Sequence, residues 1–252
     1  MSIEISPPFL DLDHLSPLSA DRAARLARFL AAGQPATVAD LGCGWARLLI
    51  QTVAAAPGAA GLGIDLDDEA IEHGRWLAAE HGVAERVELR CGEVAAQLTA
   101  DAVICIGASQ IWCAEDEVDQ PVNYTRALTH LRAMVERGAR VVYGEGIWTA
   151  PPTPAATAPL ASRPDEFVGL AELVELAVQA GFMPHAAHEA TLDEWDEFES
   201  GYGYGYTRWL VEHDIDHPDA EEVRDRARRQ RSGYLGGYRG VLGMAYLELI
   251  AI

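Results

Sequence analysis

Runs of apolar residues alternate with segments of helical periodicity through the first 150 residues of the chain. Five short apolar runs predict β-strands, over residues 36–41, 60–65, 86–91, 101–107 and 139–146. Apolar residues at helical spacing between these runs predict helices over 46–56, 68–81 and 122–137, with a short turn near 93–98. Near-continuous Val, Ile, Leu and Ala strands separated by helices are typical of a parallel sheet that is covered on both faces.

The pattern continues on either side of this region. Residues 21–33 predict an amphipathic helix ahead of the first strand, and the Pro/Ala-rich residues 148–164 predict a loop. A helix over 167–180, a strand over 182–190, two largely helical aromatic-rich stretches and an apolar strand over 241–252 follow. We expect this last strand to return to the sheet, so that the late helices form a cap on one domain, 1–252. Its parts are an N-terminal helical segment (1–33), a core (34–146), a loop, helix, strand and cap (147–240), and the final strand.

Composition narrows the class of protein. A hydrophobic content of 49% in 252 residues is enough for one sizeable core, or for a core with a cap. The N-terminus is acidic and resembles no secretory signal, and no segment approaches the roughly 20 apolar residues that span a bilayer. We therefore expect a cytoplasmic protein without a membrane partner.

Charge and residue usage exclude further chemistries. The formal net charge of −20 argues against a nucleic-acid partner, because phosphate binding draws on clustered positive charge. The chain has no lysine, which excludes a phosphate-binding loop of the GxxxxGK[ST] type and a pyridoxal Schiff base. Its four cysteines form no CxxC pair, so their spacing argues against a zinc site, and we expect no metal.

The stretch VADLGCGWARLL, residues 38–49, predicts a strand, a glycine turn and a helix, the arrangement that holds nucleotide-like cofactors. The dinucleotide fingerprint GxGxxG needs a third glycine, but Arg47 stands there and argues against NAD or FAD. The shorter spacing GxGx(G/A) fits Gly42, Gly44 and Ala46.

Three acidic residues fall at or next to the ends of consecutive predicted strands. Asp40 would direct a carboxylate at the turn, which is unfavourable beside a pyrophosphate and favourable beside the amino group of S-adenosylmethionine. Asp65 could accept hydrogen bonds from both ribose hydroxyls, and Glu93 from an adenine amino group, with the Val94 amide directed at the ring. Taken singly, Asp40 could form a turn, Asp65 could cap a helix and Glu93 could be a surface residue.

Through VADLGCGWARLL, GLGIDLDDEAIEHGR, VELRCGEVA and DAVICIGASQIW, residues 34–146 resemble the class I S-adenosylmethionine-dependent methyltransferases. Later stretches are similar to a bacterial subgroup that acts on small molecules. The resemblance implies a Rossmann-like, mostly parallel seven-stranded sheet, with the last strand antiparallel, helices on both faces and a helical cap. The cofactor-binding residues it implies are Asp40, Gly42, Cys43, Gly44, Asp65, Leu66, Glu93, Val94, Gly107 and Ser109. Trp45 and Gln110 depart from the family pattern, where a small or polar residue and a His are usual.

The acceptor of the methyl group should lie beyond the carboxyl ends of the strands. Candidate catalytic residues are Glu145, which burial among aromatic rings would make a base, Gln110, and His14 on an N-terminal segment that could fold over the site. Each has a structural alternative, in which Glu145 holds an arginine or the cap and His14 is merely structural. Candidate substrate-binding residues are Trp112, Trp148, Tyr202, Tyr206 and Trp209.

The stretch ESGYGYGYTRWLVEH, residues 199–213, is the other unusual feature. Helical spacing places Tyr202 and Tyr206 on one face near Trp209, while three interior glycines each cost a helix about 1 kcal/mol relative to alanine. We consider two interpretations: a mobile aromatic lid, or an aromatic stripe that packs on the core.

The sequence thus predicts S-adenosylmethionine-dependent methylation of a small-molecule acceptor. A non-catalytic S-adenosylmethionine-binding scaffold and an NAD-dependent oxidoreductase are the alternatives, and a homodimer stays open.

Overall fold

A computed structural model describes residues 3–95, 97–113, 121–160 and 162–252. Its centre is a seven-stranded sheet in the order β3-β2-β1-β4-β5-β7-β6. The strands are β1 (Thr37–Leu41), β2 (Ala60–Asp65), β3 (Val87–Cys91), β4 (Ala102–Ile106), β5 (Arg140–Trp148), β6 (Phe182–Glu189) and β7 (Leu242–Ala251). The strand order reverses between β1 and β4, which is where open α/β sheets bind ligands.

The first five strands are parallel, and β7 lies antiparallel to both β5 and β6. The chain therefore returns to the sheet in its last strand, and the predicted seven-stranded, mostly parallel fold is confirmed. Every residue of β4 except Ile106 is buried, as expected for a central strand, whereas in β6, at the edge, only Phe182 is buried and the next positions alternate between exposed and half-buried.

The helices are α1 (Ala20–Ala31), α2 (Arg47–Ala55), α3 (Asp68–Glu80), α4 (Tyr124–Ala133), α5 (Pro154–Thr157), α6 (Leu170–Gln179), α7 (Leu192–Glu212) and α8 (Ala220–Gly233). Apolar faces of α1, α2 and α3 cover one side of the sheet, and those of α4 and α6 cover the other. Among the helices in the described ranges, none combines the length and apolar character that a bilayer-spanning segment requires.

The structure differs from the sequence expectations at several boundaries. The turn expected near 93–98 forms no helix in its described part, and Ala96 lies outside the described residues. The predicted loop 148–164 contains the short helix α5. Strand β5 runs two residues beyond its predicted end at 146, because residues 144–148 pair in register with β7.

The helices α7 and α8 pack against each other, and α7 also contacts the residues that precede β1. A capping box starts α7: the Thr191 hydroxyl accepts from the Glu194 amide, and the Glu194 carboxylate accepts from the Thr191 amide. The same carboxylate accepts two hydrogen bonds from the Arg22 guanidinium, which ties α7 to α1. The cap is therefore anchored to the helix that precedes the first strand.

Candidate functional site

The turn after β1 has the backbone conformation that its glycines predict. Gly42 and Gly44 have φ angles of 67° and 52°, in the left-handed region that favours glycine. A Cβ atom on Gly42 would lie 2.5 Å from the Cβ atom of Ala108, so the close approach of the turn to the end of β4 requires glycine. Ala46 also has a left-handed φ of 55°, immediately before α2.

Asp65, at the end of β2, fixes this turn. Its Oδ2 atom accepts a 2.7 Å hydrogen bond from the Gly44 amide, and its Oδ1 atom accepts one of 3.0 Å from the Asp67 amide. Asp67, and not Asp65, caps α3, since the Asp67 side chain accepts from the Ala70 amide. The helix-capping alternative for Asp65 is therefore wrong.

Asp40 is the most strongly perturbed acid of the site. Its side chain is 4% exposed, and burial together with the nearby Asp65 carboxylate raises its pKa to about 8. A carboxyl group in this position is protonated at neutral pH until a cation lies next to it. The predicted pairing of Asp40 with a positively charged group fits this environment.

Two cavities lie side by side at the carboxyl ends of β1, β2 and β4. The first, of about 310 Å³, is the turn cavity; the second, of about 410 Å³, is the strand-end cavity. Four residues line both cavities: Gly42, Asp65, Ala108 and Gln110. Of the predicted cofactor residues, the two cavities bring together Asp40, Gly42, Cys43, Gly44, Asp65, Leu66, Glu93, Val94 and Gly107.

Ser109 and Glu145 line neither cavity, although the two chain neighbours of Ser109, Ala108 and Gln110, line both. Glu145 is buried inside β5, where its Oε2 atom accepts from the Ser109 amide at 3.2 Å and its Oε1 atom accepts from the Gly146 amide at 2.9 Å. Burial raises the pKa of Glu145, as predicted for a base. However, its two oxygens already accept from backbone amides, one in the turn that follows β4 and one in β5 itself. The structure thus favours a positioning role for Glu145, and a catalytic role for it stays a prediction.

The N-terminal segment, residues 5–19, forms one wall of the turn cavity through His14, Leu15, Ser16 and Leu18. The Trp45 indole holds this segment, because its Nε1–H donates a 2.8 Å hydrogen bond to the Asp13 carbonyl. The indole also packs edge-on against Phe9, with ring centroids 6.0 Å apart. Trp45 therefore lies in the cofactor turn as an anchor for the wall that covers it.

His14 lies in this wall with 7% of its surface exposed. Burial, assisted by the charge of Arg47, outweighs the opposing effect of Asp13 and lowers the pKa of His14 to about 4. Its Nε2 atom is buried and has no hydrogen-bond partner among the described residues. The N-terminal segment thus places His14 against the turn cavity, as the sequence predicted. With its pKa near 4, the imidazole is neutral at physiological pH.

The aromatic candidates for the acceptor site lie elsewhere. Trp112 stacks on His130, and the Trp148 indole donates to the Pro164 carbonyl. Tyr206 and Trp209 pack in a separate cluster between α7, α8 and the N-terminal residues Ile3 and Ile5, and Tyr202 is 46% exposed. The structure does not bring these five aromatic residues into the turn cavity, and their proposed contact with substrate stays a prediction.

The glycines of residues 201–205 lie inside α7, in close contact with neighbouring segments. A Cβ atom on Gly201 would lie 2.4 Å from a methyl group of Leu12, and one on Gly205 would lie 2.8 Å from the Ser6 carbonyl oxygen. One on Gly203 would lie 2.5 Å from the Gln230 amide oxygen of α8. These glycines are the points at which other segments approach the helix, which favours the packing interpretation over the mobile lid.

Among the lining residues of the turn cavity that sequence reasoning missed, Met244 and Arg47 are the most informative. Met244 enters from β7, about 200 residues after the glycine turn, and no local pattern indicates that contact. Arg47 stood out only because it breaks the dinucleotide spacing. Its guanidinium lies 3.4 Å from the Asp13 carboxylate and gives the cavity a positive group beside its two acids.

Comparison with known proteins agrees with this fold. Residues 38–134 match the family described as a methyltransferase domain. No protein in the curated set matches the chain.

Among solved structures, a S-adenosylmethionine-dependent methyltransferase from Geobacter sulfurreducens, in complex with S-adenosyl-L-homocysteine, is 24% identical, with a TM-score of 0.81 over 98% of this chain and 99% of its own. Another from Thiobacillus denitrificans, also in complex with S-adenosyl-L-homocysteine, is 25% identical, with a TM-score of 0.80 over 99% and 100%. The protein YjhP from E. coli is 24% identical, with a TM-score of 0.78 over 98% and 100%.

Proposed function

We propose that this chain, whose residues 38–134 form a methyltransferase domain of the class I fold, transfers the methyl group of S-adenosylmethionine to a small-molecule acceptor. The predicted resemblance to class I methyltransferases is confirmed by the domain match and by the likeness to the solved methyltransferases. The proposal rests mainly on the glycine turn and its two acids. Asp40 and Asp65 line the turn cavity together with Gly42 and Gly44. The turn has neither the lysine of a phosphate-binding loop nor the third glycine of a dinucleotide site.

The residues that line the two cavities fit this cofactor. Asp65, at the end of β2, would accept hydrogen bonds from the ribose hydroxyls, and Glu93 with Val94 would face the adenine in the strand-end cavity. Asp40 would face the amino group, and Arg47 the carboxylate, of the methionine part in the turn cavity. When bound, S-adenosylmethionine supplies a methyl group that its sulfonium activates toward nucleophiles.

The chain's own part in methyl transfer is to hold the acceptor in line and to exclude water. The N-terminal segment forms one wall of the turn cavity through His14, Leu15, Ser16 and Leu18 and so shields that side from water. Gln110 lines both cavities. Its amide nitrogen donates a 3.4 Å hydrogen bond to the Gly107 carbonyl, which leaves its amide oxygen to accept a hydrogen bond from the methyl acceptor. These groups orient the acceptor, and none of them is required to form a covalent bond.

Calorimetric titration with S-adenosylmethionine, S-adenosylhomocysteine and NAD tests the cofactor. We expect the first two to bind and NAD not to bind, because Arg47 stands where the dinucleotide fingerprint needs glycine. Binding of NAD alone would refute the proposal in favour of an oxidoreductase. Release of S-adenosylhomocysteine in the presence of a metabolite library then separates an enzyme from a non-catalytic scaffold.

A further inference from the structure

A third cavity, of about 390 Å³, lies between the N-terminal segment and the start of α7, and we call it the N-terminal pocket. It has three lining residues in common with the turn cavity, which are His14, Ser16 and Leu18. The two spaces therefore share one wall. A volume in this range is typical of sites for small molecules.

His14 is the polar side chain of the shared wall that lacks a partner. Its ring is 7% exposed, and its buried Nε2 atom accepts or donates no hydrogen bond among the described residues. An unpaired buried polar atom is costly, and most such atoms in native proteins have a partner. Since His14 lines both cavities, a ligand in either one would lie next to its ring.

Four carboxylates line the N-terminal pocket, from Asp11, Asp13, Glu194 and Glu197, and no arginine is among its described lining residues. Glu194 is fully engaged by Arg22, Ser19 and Thr191. Asp11 pairs with Arg208 through Oδ1, while its buried Oδ2 atom has no hydrogen-bond partner in the described chain. For Glu197, no ion pair forms with any residue that the structure describes. Asp13 pairs with Arg47 at 3.4 Å, so Glu197 is the lining carboxylate whose charge stays unpaired among the described residues.

The remaining wall is apolar and partly aromatic. Phe9 and Phe198 line the pocket together with Leu10, Leu12 and Leu18. Aromatic rings attract organic cations through their negative faces, and the attraction is strongest where the cation is partly desolvated. An acidic, aromatic pocket selects a ligand that is positively charged and carries an apolar part.

We infer that the N-terminal pocket binds the methyl acceptor and that the acceptor is a small amine, with its cationic nitrogen beside Asp11, Glu197 and His14. This inference rests on the proposed function for the identity of the ligand as an acceptor. The pocket's preference for an amine rests on its own residues. Both walls of the pocket, residues 9–20 and 194–198, lie outside the matched methyltransferase domain.

The test uses the whole chain, with and without S-adenosylhomocysteine, and three probes that share a phenyl ring: 2-phenylethylamine, 2-phenylethanol and phenylacetate. Calorimetry should show binding of the amine, with the alcohol at least about tenfold weaker and the acid not bound. Equal or tighter binding of the alcohol or the acid would overturn the inference, as would absence of amine binding to a protein that binds S-adenosylhomocysteine.

Variants locate the site. Glu197→Gln should weaken amine binding about threefold to fivefold, as expected for an exposed ion pair, and His14→Phe about tenfold or more, as expected for a lost hydrogen bond to a charged group. The control is Glu212→Gln, an exposed position at the other end of α7, which should change nothing. If Glu197→Gln and His14→Phe both bind the amine as the control does, the pocket is not the site.

The two proposals fail in different ways. If S-adenosylhomocysteine does not bind, the proposed function is refuted, while amine binding to the free chain still decides the inference. If the cofactor binds but the acid or the alcohol is the preferred probe, the proposed function stands and the amine inference is refuted.

Discussion

Asp40→Asn is the substitution that most directly tests the electrostatics of the site. The burial of Asp40 raises its pKa to about 8 from an ordinary value of 3.8. At pH 7 the unfolded chain therefore carries an ionised Asp40, whereas the folded chain carries a protonated one. Over the roughly 3 pH units between 3.8 and 7, at about 1.4 kcal/mol per unit, folding loses up to about 4 kcal/mol. The asparagine, of the same shape, has no such cost.

The sign of the pH dependence follows from the same difference. Between pH 4 and pH 8 the folded protein binds one more proton at Asp40 than the unfolded chain, so this residue makes stability fall as the pH rises. We expect Asp40→Asn to be more stable than the wild type by about 2–4 kcal/mol at pH 7, and equal to it near pH 3, where both forms of Asp40 are protonated. Urea unfolding at a series of pH values measures this difference.

Cofactor binding should show the opposite effect. A cation next to Asp40 favours its ionised form, so binding of S-adenosylmethionine at pH 7 should release close to one proton, and affinity should rise up to about tenfold per pH unit until pH 8. Calorimetry in buffers of different ionisation enthalpy counts that proton. Asp40→Asn should release none and bind more weakly at pH 9, whereas Asp216→Asn, an exposed position, should behave as the wild type. A variant that is less stable at pH 7, or wild-type binding without proton release, would refute the reasoning.

Three further substitutions test how the site is assembled. Trp45→Phe removes the hydrogen bond to the Asp13 carbonyl, worth about 1 kcal/mol, and should speed amide hydrogen exchange in residues 5–16; unchanged exchange would contradict the anchoring role. Gly205→Ala should lower the free energy of unfolding by about 1–3 kcal/mol in urea, because the added methyl group meets the Ser6 carbonyl. Alanine favours helices, so a gain in stability would show that the Ser6 backbone moves away at little cost. Asp65→Asn replaces the charged acceptor of the Gly44 amide with a neutral one. It should weaken S-adenosylhomocysteine binding about tenfold or more, as measured by calorimetry. Unchanged affinity would exclude Asp65 from the cofactor site.

Local patterns were enough to predict the sheet and most of the residues that line the turn cavity and the strand-end cavity around the glycine turn. The strands β1 to β5 are parallel, and β1, β4 and β5 are largely buried, so their apolar runs were visible directly in the sequence. Glycine at positions 42 and 44 and acids at the ends of β1 and β2 follow from backbone conformation and charge, which act within a few residues. Nine of the ten predicted cofactor residues consequently line the two cavities.

The acceptor side could not be predicted in the same way, because it is built from segments far apart in the chain. The Phe9 ring contacts Trp45, and Leu12 packs where Gly201 leaves room. The glycines that alternate with tyrosines over 201–206 therefore lie where other segments pack closely against α7. From the sequence alone, glycines of this kind cannot be distinguished from glycines that make a segment flexible. Glu145 was placed at a strand end because the predicted strand was two residues too short.

The location of the N-terminal pocket has a consequence for how such an enzyme could change its substrate. The cofactor turn lies within residues 38–134, but the walls of the pocket come from residues 9–20 and 194–198 on either side of that domain. If the N-terminal pocket takes the acceptor as we propose, substitutions in these two short segments would alter acceptor choice and leave the residues of the glycine turn unchanged. The Trp45 indole joins the glycine turn to the N-terminal segment through its hydrogen bond to the Asp13 carbonyl. A chimaera that takes both segments from a related protein should therefore fold and bind only if it also takes that protein's residue at position 45.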